Sequence, residues 1–171
     1  MHYTVGACST FGQTTNSIVD SWNLDWISTL SIHGSRSKKT GFRYAKFAVT
    51  ENKKQVQYKL HRVIARAFDK LQVDHINNDT LDNRECNLRI VSAHQNGMNK
   101  SKRKSGTSKY KGVKWHKKDS IWESKICYKY KDYYLGRFEN EIDAARAYDM
   151  AALKFHKEYA NINFNKEDYL E

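Results

Sequence analysis

A short segment near the middle of the chain contains an acid, a histidine and two asparagines that could act together. Asp74 and His75 are adjacent, and Asn87 and Asn96 follow them. Hydrolysis of a phosphodiester needs a hard divalent cation at the phosphate and a base that takes a proton from water. Mg²⁺ prefers oxygen ligands and keeps several waters, so one carboxylate and one amide oxygen suffice. The segment therefore suits phosphodiester hydrolysis, with His75 as the base because imidazole titrates near neutral pH.

Two short strands and a helix must hold these side chains. Residues 73–76 have the β-branched flanks of a strand, and residues 88–91 predict a second one. Ser92 is a plausible N-cap for a helix that follows. Residues 77–83 are rich in Asn and Asp side chains that bond their own backbone, so they predict the turn that closes a hairpin.

This arrangement places the acid and the histidine on the first strand and Asn96 on the helix. Adjacent residues of a strand point to opposite faces, which separates Asp74 from His75. The two can therefore serve one phosphate only if the strand is bulged there or if the substrate wraps around its end.

The segment resembles the HNH endonucleases of the homing and phage type. The matching motifs are Leu60-His61-Arg62-Val63-Ile64-Ala65, Phe68, Val73-Asp74-His75-Ile76-Asn77, Asp82-Asn83, Asn87-Leu88-Arg89 and Asn96. The resemblance covers residues 43–99 and implies a ββα-metal fold. It implies that Asp74 and Asn96 hold the metal, that His75 is the general base and that Asn87 holds the loop and orients the histidine. It also implies Mg²⁺ as the ion, with Mn²⁺ able to substitute.

The residues alone leave other roles open for three of these side chains. An asparagine before a strand is commonly a turn residue, so Asn87 could be only that. Asn96 on a helix would usually be a solvated polar position, and its role as a ligand depends on the family pattern. Apolar residues follow His61 at helical spacing, which favours a packed structural histidine.

The charge of the chain indicates a polyanionic partner. The formal net charge is +11, and residues 87–118 contain no acidic side chain but many lysines. Such a concentration is typical of nucleic-acid binding. No amphipathic basic helix or apolar span accompanies it, so we expect double-stranded DNA as the partner and no membrane.

The cysteines and the N-terminus bear on location and metal content. Cys8, Cys86 and Cys127 are widely spaced, which predicts neither a disulfide framework nor a structural zinc site. The N-terminus lacks a signal-peptide pattern, so we expect a cytoplasmic protein that is not secreted. We also expect a monomer.

The chain of 171 residues suits two modest modules better than one large core. We expect a nuclease module over residues 1–99 with its core at 43–99, a basic linker over 100–108 and a second module over 109–171. Residues 1–35 predict a small helix or packed arm, to which we assign no chemistry. The linker contains Lys102, Arg103 and Lys104. It is either a plain spacer or a basic arm that follows the phosphates.

Three strand-like runs and a helix are predicted after the linker. Asn140 is expected to cap the helix, whose apolar stripe contains Ile142, Ala145, Tyr148, Ala152 and Phe155. The stripe must pack on one face of the sheet, and the alternation of strand residues decides what lies on the other face. The residues expected to face outward are Lys114, His116, Lys125 and Tyr134. An exposed basic sheet of this kind has the dimensions to enter the major groove of DNA.

This second module resembles the Apetala-two/ethylene-response-factor DNA-binding domain. The matching motifs are Tyr110-Lys111-Gly112-Val113-Lys114, Tyr134-Leu135-Gly136-Arg137-Phe138, Ala144-Ala145-Arg146-Ala147-Tyr148-Asp149-Met150-Ala151-Ala152 and Ala160-Asn161-Ile162-Asn163-Phe164. The resemblance implies DNA contacts from Lys111 and Lys114, which stand where the plant domains favour arginine. Lysine does not make the bidentate contact to guanine that arginine makes, so the plant recognition sequence is not expected here.

These observations together predict an α+β chain, with a ββα-metal module joined to a three-stranded antiparallel sheet backed by one α-helix. The expected function is a site-specific DNA endonuclease of the HNH homing type, whose target is chosen mainly by the C-terminal sheet. One alternative is a sequence-specific DNA-binding regulator with an inactive HNH module. Another is a structure-specific nuclease of repair or packaging.

Overall fold

The computed structural model describes residues 2–7, 15–36, 43–102 and 106–169. Within them the chain is mixed α and β, with small antiparallel sheets and few helices, which confirms the predicted mixture of elements. The chain divides into two compact units, Met1–Ala93 and His94–Glu171. No helix of the described ranges is long and apolar enough to span a membrane.

The described residues form ten strands and four α-helices, numbered in chain order. The strands are β1 (His2–Ala7), β2 (Thr15–Asp20), β3 (Ile32–Arg36), β4 (Arg43–Glu51), β5 (Lys54–Lys59), β6 (Gln72–His75), β7 (Leu88–Val91), β8 (Val113–His116), β9 (Ile121–Tyr128) and β10 (Lys131–Phe138). The α-helices are α1 (Leu24–Ser28), α2 (Leu60–Ile64), α3 (Ala93–Asn99) and α4 (Glu141–His156). The sheets have the strand orders β1-β2, β3-β4-β5, β6-β7 and β10-β9-β8, and every pairing within them is antiparallel.

The core of the first unit lies between β2, α1, the β3-β4-β5 sheet and α2. Its buried apolar side chains are Val19, Ile27, Ile32, Ala45, Phe47, Leu60 and Ile64. The β6-β7 hairpin borders this core through Leu88, which is partly buried against it. The N-terminal residues thus contribute to the same core as the helix and hairpin that carry the motifs.

The hairpin forms nearly as the sequence predicts. β6 begins one residue before the predicted strand and ends at His75, while β7 covers the predicted residues 88–91. The first strands of the unit were not predicted. β3 contains His33, Gly34 and Ser35, which interrupt the apolar alternation that identifies a strand.

The second unit contains a three-stranded sheet packed on α4. Asn140 caps the helix as predicted, because its Oδ1 accepts a hydrogen bond from the backbone N–H of Ile142 at 2.9 Å. The side chain of Ile142 is 41% exposed, so its predicted place in the buried stripe is wrong. Alanines form most of the buried face instead, and small side chains let the helix lie close to the sheet. The buried helix residues include Ala144, Ala145, Tyr148, Ala151 and Ala152.

Two sets of polar contacts close the second unit. The carboxylate of Asp149 is fully buried and accepts hydrogen bonds from the backbone N–H groups of Asn163 and Phe164. Helix α3 is attached to this unit, because Lys111 Nζ donates to Met98 O at 2.7 Å. This helix was predicted within the first module, residues 1–99, whereas the boundary between the compact units falls between Ala93 and His94.

Gly112 offers a sharp test of the packing between the sheet and α4. Its φ is +80°, and a Cβ built there would lie 1.8 Å from Cδ2 of Tyr148. We expect Gly112→Ala to lower the free energy of unfolding of the second unit by about 2–5 kcal/mol, through backbone strain and a steric clash. Urea unfolding followed by tryptophan fluorescence measures the change.

Gly97→Ala is the matched control for that substitution. Gly97 lies in α3, and a Cβ there would meet no atom within 4 Å. Alanine is the better helix former by up to about 1 kcal/mol, so the control should leave stability unchanged or raise it. Equal effects of the two substitutions would contradict the packing described here.

Candidate active site

His75 is the last residue of β6, and its imidazole is buried, with only 4% of the residue exposed. Its Nε2 lies 3.0 Å from Oδ1 of Asn83. The ring of His61 packs edge-on against it, with 5.1 Å between ring centroids. Asn83 is fully buried, so the histidine is held by a side chain that is itself fixed.

The hydrogen bonds of Asn83 decide which nitrogen of His75 carries its proton. Asn83 Nδ2 donates to Ser17 Oγ at 2.7 Å, and Ser17 Oγ donates to the carbonyl oxygen of Leu81 at 3.0 Å. These two hydrogen bonds keep the amide oxygen of Asn83 facing His75. A carbonyl oxygen only accepts, so His75 Nε2 is the donor and the lone pair of the neutral ring lies on Nδ1.

Burial and the neighbouring charges act in opposite directions on His75. Burial lowers the pKa of His75, and this effect outweighs the hydrogen bond to Asn83 and the nearby carboxylates of Asp74, Asp79 and Asp82, which raise it. The ring is therefore neutral at neutral pH. A neutral imidazole is the form that can accept a proton.

Asp74 lies on the same strand but contacts a different partner. It stands opposite Arg89 in the hairpin register, and Arg89 Nε and Nη2 lie 2.9 Å and 2.8 Å from Asp74 Oδ2. The pairing of β6 with β7 is regular, without a bulge. Asp74 and His75 therefore point to opposite faces. Without a bulge, the two side chains could serve one phosphate only around the end of the strand, and that joint role stays a prediction.

Asn87 holds the loop between β6 and β7. Its Oδ1 accepts from the backbone N–H of Asn77 at 3.0 Å, and its Nδ2 donates to Asn77 Oδ1 and to the carbonyl oxygen of Asp82. Asn87 thus joins the two ends of the loop. These contacts hold the loop, and the predicted role of Asn87 in orienting His75 stays a prediction.

Sequence reasoning treated Asp82 and Asn83 as turn residues and missed how they build the site. Asp82 is buried, accepts from Arg84 Nε at 2.7 Å and accepts from Asn77 Nδ2 at 2.8 Å. The hydrogen bonds from Arg84 lower the pKa of the Asp82 carboxyl. The Asp82-Asn83 pair is one of the motifs that resemble the HNH endonucleases, and that resemblance could have identified both as site residues.

Asp74 and Asn96 are the predicted metal ligands. Asn96 is half-buried on α3 in the second unit, and its role as a ligand stays a prediction. Among the described residues, no three His, Cys, Asp or Glu side chains form a group that could hold a metal ion. The predicted set is of another kind, with one carboxylate and one amide oxygen. A buried carboxylate held in place by Arg89 is a donor that suits a hard cation such as Mg²⁺.

Most of the side chains predicted to face outward on the C-terminal sheet are exposed. Lys114 is exposed on β8, and Tyr134 on β10 is 59% exposed. Lys125 is exposed, and its Nζ lies 3.0 Å from Oδ2 of Asp132. His116 is half-buried, and its Nδ1 lies 3.3 Å from Oδ2 of Asp119. The sheet therefore presents polar and cationic groups on the side away from α4.

The remaining predicted DNA contacts lie elsewhere. Lys111 is half-buried with its ammonium group on Met98 O, and burial lowers its pKa to about 8. In this position it fastens α3, and its predicted contact with DNA stays a prediction. Lys102 is half-buried, and Arg103 and Lys104 lie outside the described residues.

Comparisons with known proteins separate the two halves of the chain. The profile of the HNH endonuclease family matches residues 58–98, which include β6, β7 and most of α3. The C-terminal region matches plant proteins. The chain thus combines a segment that matches the HNH endonuclease family, here called the HNH segment, with a region similar to AP2-type plant proteins, here called the AP2-type region.

The relatives of the AP2-type region are much longer proteins. APETALA2-like protein 2 of Oryza sativa subsp. indica is 47% identical over 66 residues, which are 39% of this chain and 15% of that protein. AP2-like ethylene-responsive transcription factor TOE2 of Arabidopsis thaliana is 41% identical over 85 residues, 48% of this chain and 18% of that protein. The similarity thus concerns one region, and this chain spans less than a fifth of either relative.

His61 lies in the HNH segment, and its pKa departs strongly from the ordinary value of a histidine. It is buried in α2, beside the ring of Tyr44. Burial, together with the nearby His75, Lys59 and Arg62, lowers its pKa to about 3. His61 therefore stays neutral in the folded protein and acts as a packing residue, as the sequence predicts.

The low pKa of His61 predicts a loss of stability in mild acid. Its folded-state pKa of about 3 lies below the ordinary 6.5, so only the unfolded chain takes up the proton as the pH falls through 6.5 toward 3. Stability should fall by up to about 1.4 kcal/mol per pH unit from this group. His61→Phe should flatten the decline in the free energy of unfolding, measured in urea from pH 7.5 to pH 5. A decline as steep as that of the wild type would contradict this account.

Proposed function

We propose that the chain is a DNA endonuclease that hydrolyses phosphodiester bonds with a divalent metal. The observation that carries the proposal is the buried, neutral His75, whose Nε2 donates to Asn83 and whose Nδ1 holds the lone pair. A positioned neutral imidazole at the end of a strand is a general base for water. The match of residues 58–98 to the HNH endonuclease family supports the same chemistry.

The reaction proposed for this site is a displacement at phosphorus. Nδ1 of His75 takes a proton from water while the water oxygen forms a bond to phosphorus. The bond from phosphorus to one bridging oxygen breaks, and that oxygen leaves with the electron pair and takes a proton from solvent water. Asn83 stabilises the imidazolium that forms, because its amide oxygen accepts from Nε2. Asp74 and Asn96 would hold the metal ion. When bound, the ion supplies positive charge that stabilises the phosphate during displacement.

The order of the elements supports a ββα-metal arrangement for the HNH segment. β6 and β7 form an antiparallel hairpin, and α3 follows them directly in the chain. We propose that the acid and the base come from the first strand of this motif and that the second ligand comes from its helix.

We propose that the AP2-type region selects the DNA site and that the enzyme is of the homing type. The net charge of +11 and the exposed lysines of the sheet suit a duplex backbone, whose phosphates such side chains bind. The relative from Arabidopsis thaliana is named as a transcription factor, which also supports a second candidate function, a DNA-binding regulator with an inactive HNH segment. An inactive segment would be free to lose Asp74, His75 or Asn96, and all three are present.

His75→Ala should abolish cleavage while leaving DNA affinity nearly unchanged, because the base acts on water and adds little to binding of the substrate. The rate should fall by about 10² to 10⁴. The substrate is a plasmid that carries a site selected by the full chain from random-sequence DNA, with Mg²⁺ present. Single-turnover cleavage and a gel-shift titration measure the two quantities. His33→Ala, at a half-buried histidine of β3, is the matched control and should cut normally.

Metal rescue separates the base from the ligand. Asp74→Ala should lower the affinity for the metal, so raised Mg²⁺ or added Mn²⁺ should partly restore cleavage by this variant. Cleavage by His75→Ala should not respond to added metal. Rescue of His75→Ala but not of Asp74→Ala would mean that the two roles are reversed. Normal cleavage by both variants would place the active site elsewhere.

A further inference from the structure

The N-terminal strand β2 runs alongside the loop that holds His75. Ile18 N donates to the carbonyl oxygen of Leu81 at 2.9 Å, and Asn83 N donates to the carbonyl oxygen of Ile18 at 2.8 Å. The two segments form a parallel bridge between Ile18 and Asp82. The backbone on both sides of Asp82 is therefore fixed by a strand more than sixty residues earlier in the chain.

Ser17 makes the contact that reaches the histidine. It is fully buried, and its hydroxyl accepts from Asn83 Nδ2 at 2.7 Å while donating to the carbonyl oxygen of Leu81 at 3.0 Å. Both hydrogen bonds go to the loop. Ser17 thus sets the orientation of the Asn83 amide, and that amide in turn faces His75.

A second group of contacts holds the end of the loop. Asp20 is buried, and its Oδ2 accepts from the backbone N–H of Glu85 at 2.7 Å. Glu85 Oε1 accepts from Trp22 Nε1 and from Asn23 Nδ2, each at 3.1 Å. Val19, between the two groups, is fully buried in the core, which anchors the strand that makes them.

We propose that residues 17–23, here called the brace, position the general base, with Ser17 acting through Asn83 as a positioning residue. The inference rests on the proposed function only for what His75 does, and not for how it is held. The HNH match begins at residue 58, so the brace lies outside the matched segment. The residues that complete the site are therefore contributed by a part of the chain that carries no motif.

Ser17→Ala in the full chain tests the brace. Loss of the hydroxyl leaves Asn83 Nδ2 with only its longer contact to the carbonyl oxygen of Leu81 at 3.4 Å, so the amide is held more weakly and His75 can change tautomer. The single-turnover rate on the plasmid with Mg²⁺ at saturating DNA should fall about tenfold, which corresponds to one hydrogen bond. The DNA concentration that gives half the maximal rate should not change. The ring ¹⁵N signals of His75 should move away from the Nε2–H form, in spectra of the free protein at a pH where the ring is neutral.

Two further variants make the test specific. Ser124→Ala is the matched control, because Ser124 is also fully buried but lies on β9 in the second unit, and it should change neither the rate nor the signals. Trp22→Phe removes one contact to Glu85 from an exposed ring, so it does not endanger folding. It should lower the rate about twofold.

The outcomes separate the brace from the proposed function. Unchanged His75 signals in folded Ser17→Ala overturn the brace, whether or not the rate falls, because a slower enzyme with an unmoved histidine has lost something other than positioning. Should Ser17→Ala not fold, unchanged rates and unchanged His75 signals in Trp22→Phe overturn it. If the wild type does not cut, the proposed function fails, and the His75 signals of Ser17→Ala still decide whether the brace exists.

Discussion

A buried imidazole can serve as a base only if its surroundings choose which nitrogen carries the proton and leave the other able to accept one. In this chain the hydrogen bond from His75 to Asn83 makes that choice. Burial supplies the second condition, because it lowers the pKa of His75 and keeps the ring neutral. Asn83 can hold the histidine only while its own amide is fixed. The hydroxyl of Ser17 fixes that amide.

The rest of the first unit follows from the need to hold the loop between β6 and β7. Asn87 joins its two ends, and Arg84 neutralises the buried carboxylate of Asp82. A buried carboxylate without such a partner would be costly, so this pair lets the loop pack tightly. The backbone of the loop then pairs with β2 at the bridge between Ile18 and Asp82. This pairing joins the short β6-β7 hairpin to the core of the first unit. Stability and the candidate chemistry thus depend on the same contacts.

The sequence predicted the elements whose signals are local. Asn140 capped the expected helix, and the β6-β7 hairpin formed near the predicted residues, because capping and turn chemistry act over a few positions. It did not predict β2 or the contact of Ser17 with Asn83, because that pairing joins residues far apart in the chain and leaves no periodic pattern. The period-two rule placed most outward side chains of the sheet correctly.

Neighbouring elements set the environment of other side chains. The ammonium group of Lys111 lies on Met98 O, a contact that a sequence pattern does not reveal, and the predicted contact of Lys111 with DNA stays a prediction. Ile142 was placed in the buried stripe of α4, and it is exposed in the first turn, before the helix meets the sheet. Alanine spacing was the better guide to that interface.

We propose that this chain cuts DNA by metal-assisted hydrolysis at a limited set of sites. Incubating the full chain with fragmented genomic DNA in Mg²⁺ or in a chelator, and sequencing all new ends, tests this directly. Such an enzyme should give new ends at few positions, present with Mg²⁺ and absent with the chelator. Tight binding to particular sites with no new ends in Mg²⁺ or Mn²⁺ would contradict it and would favour a DNA-binding regulator.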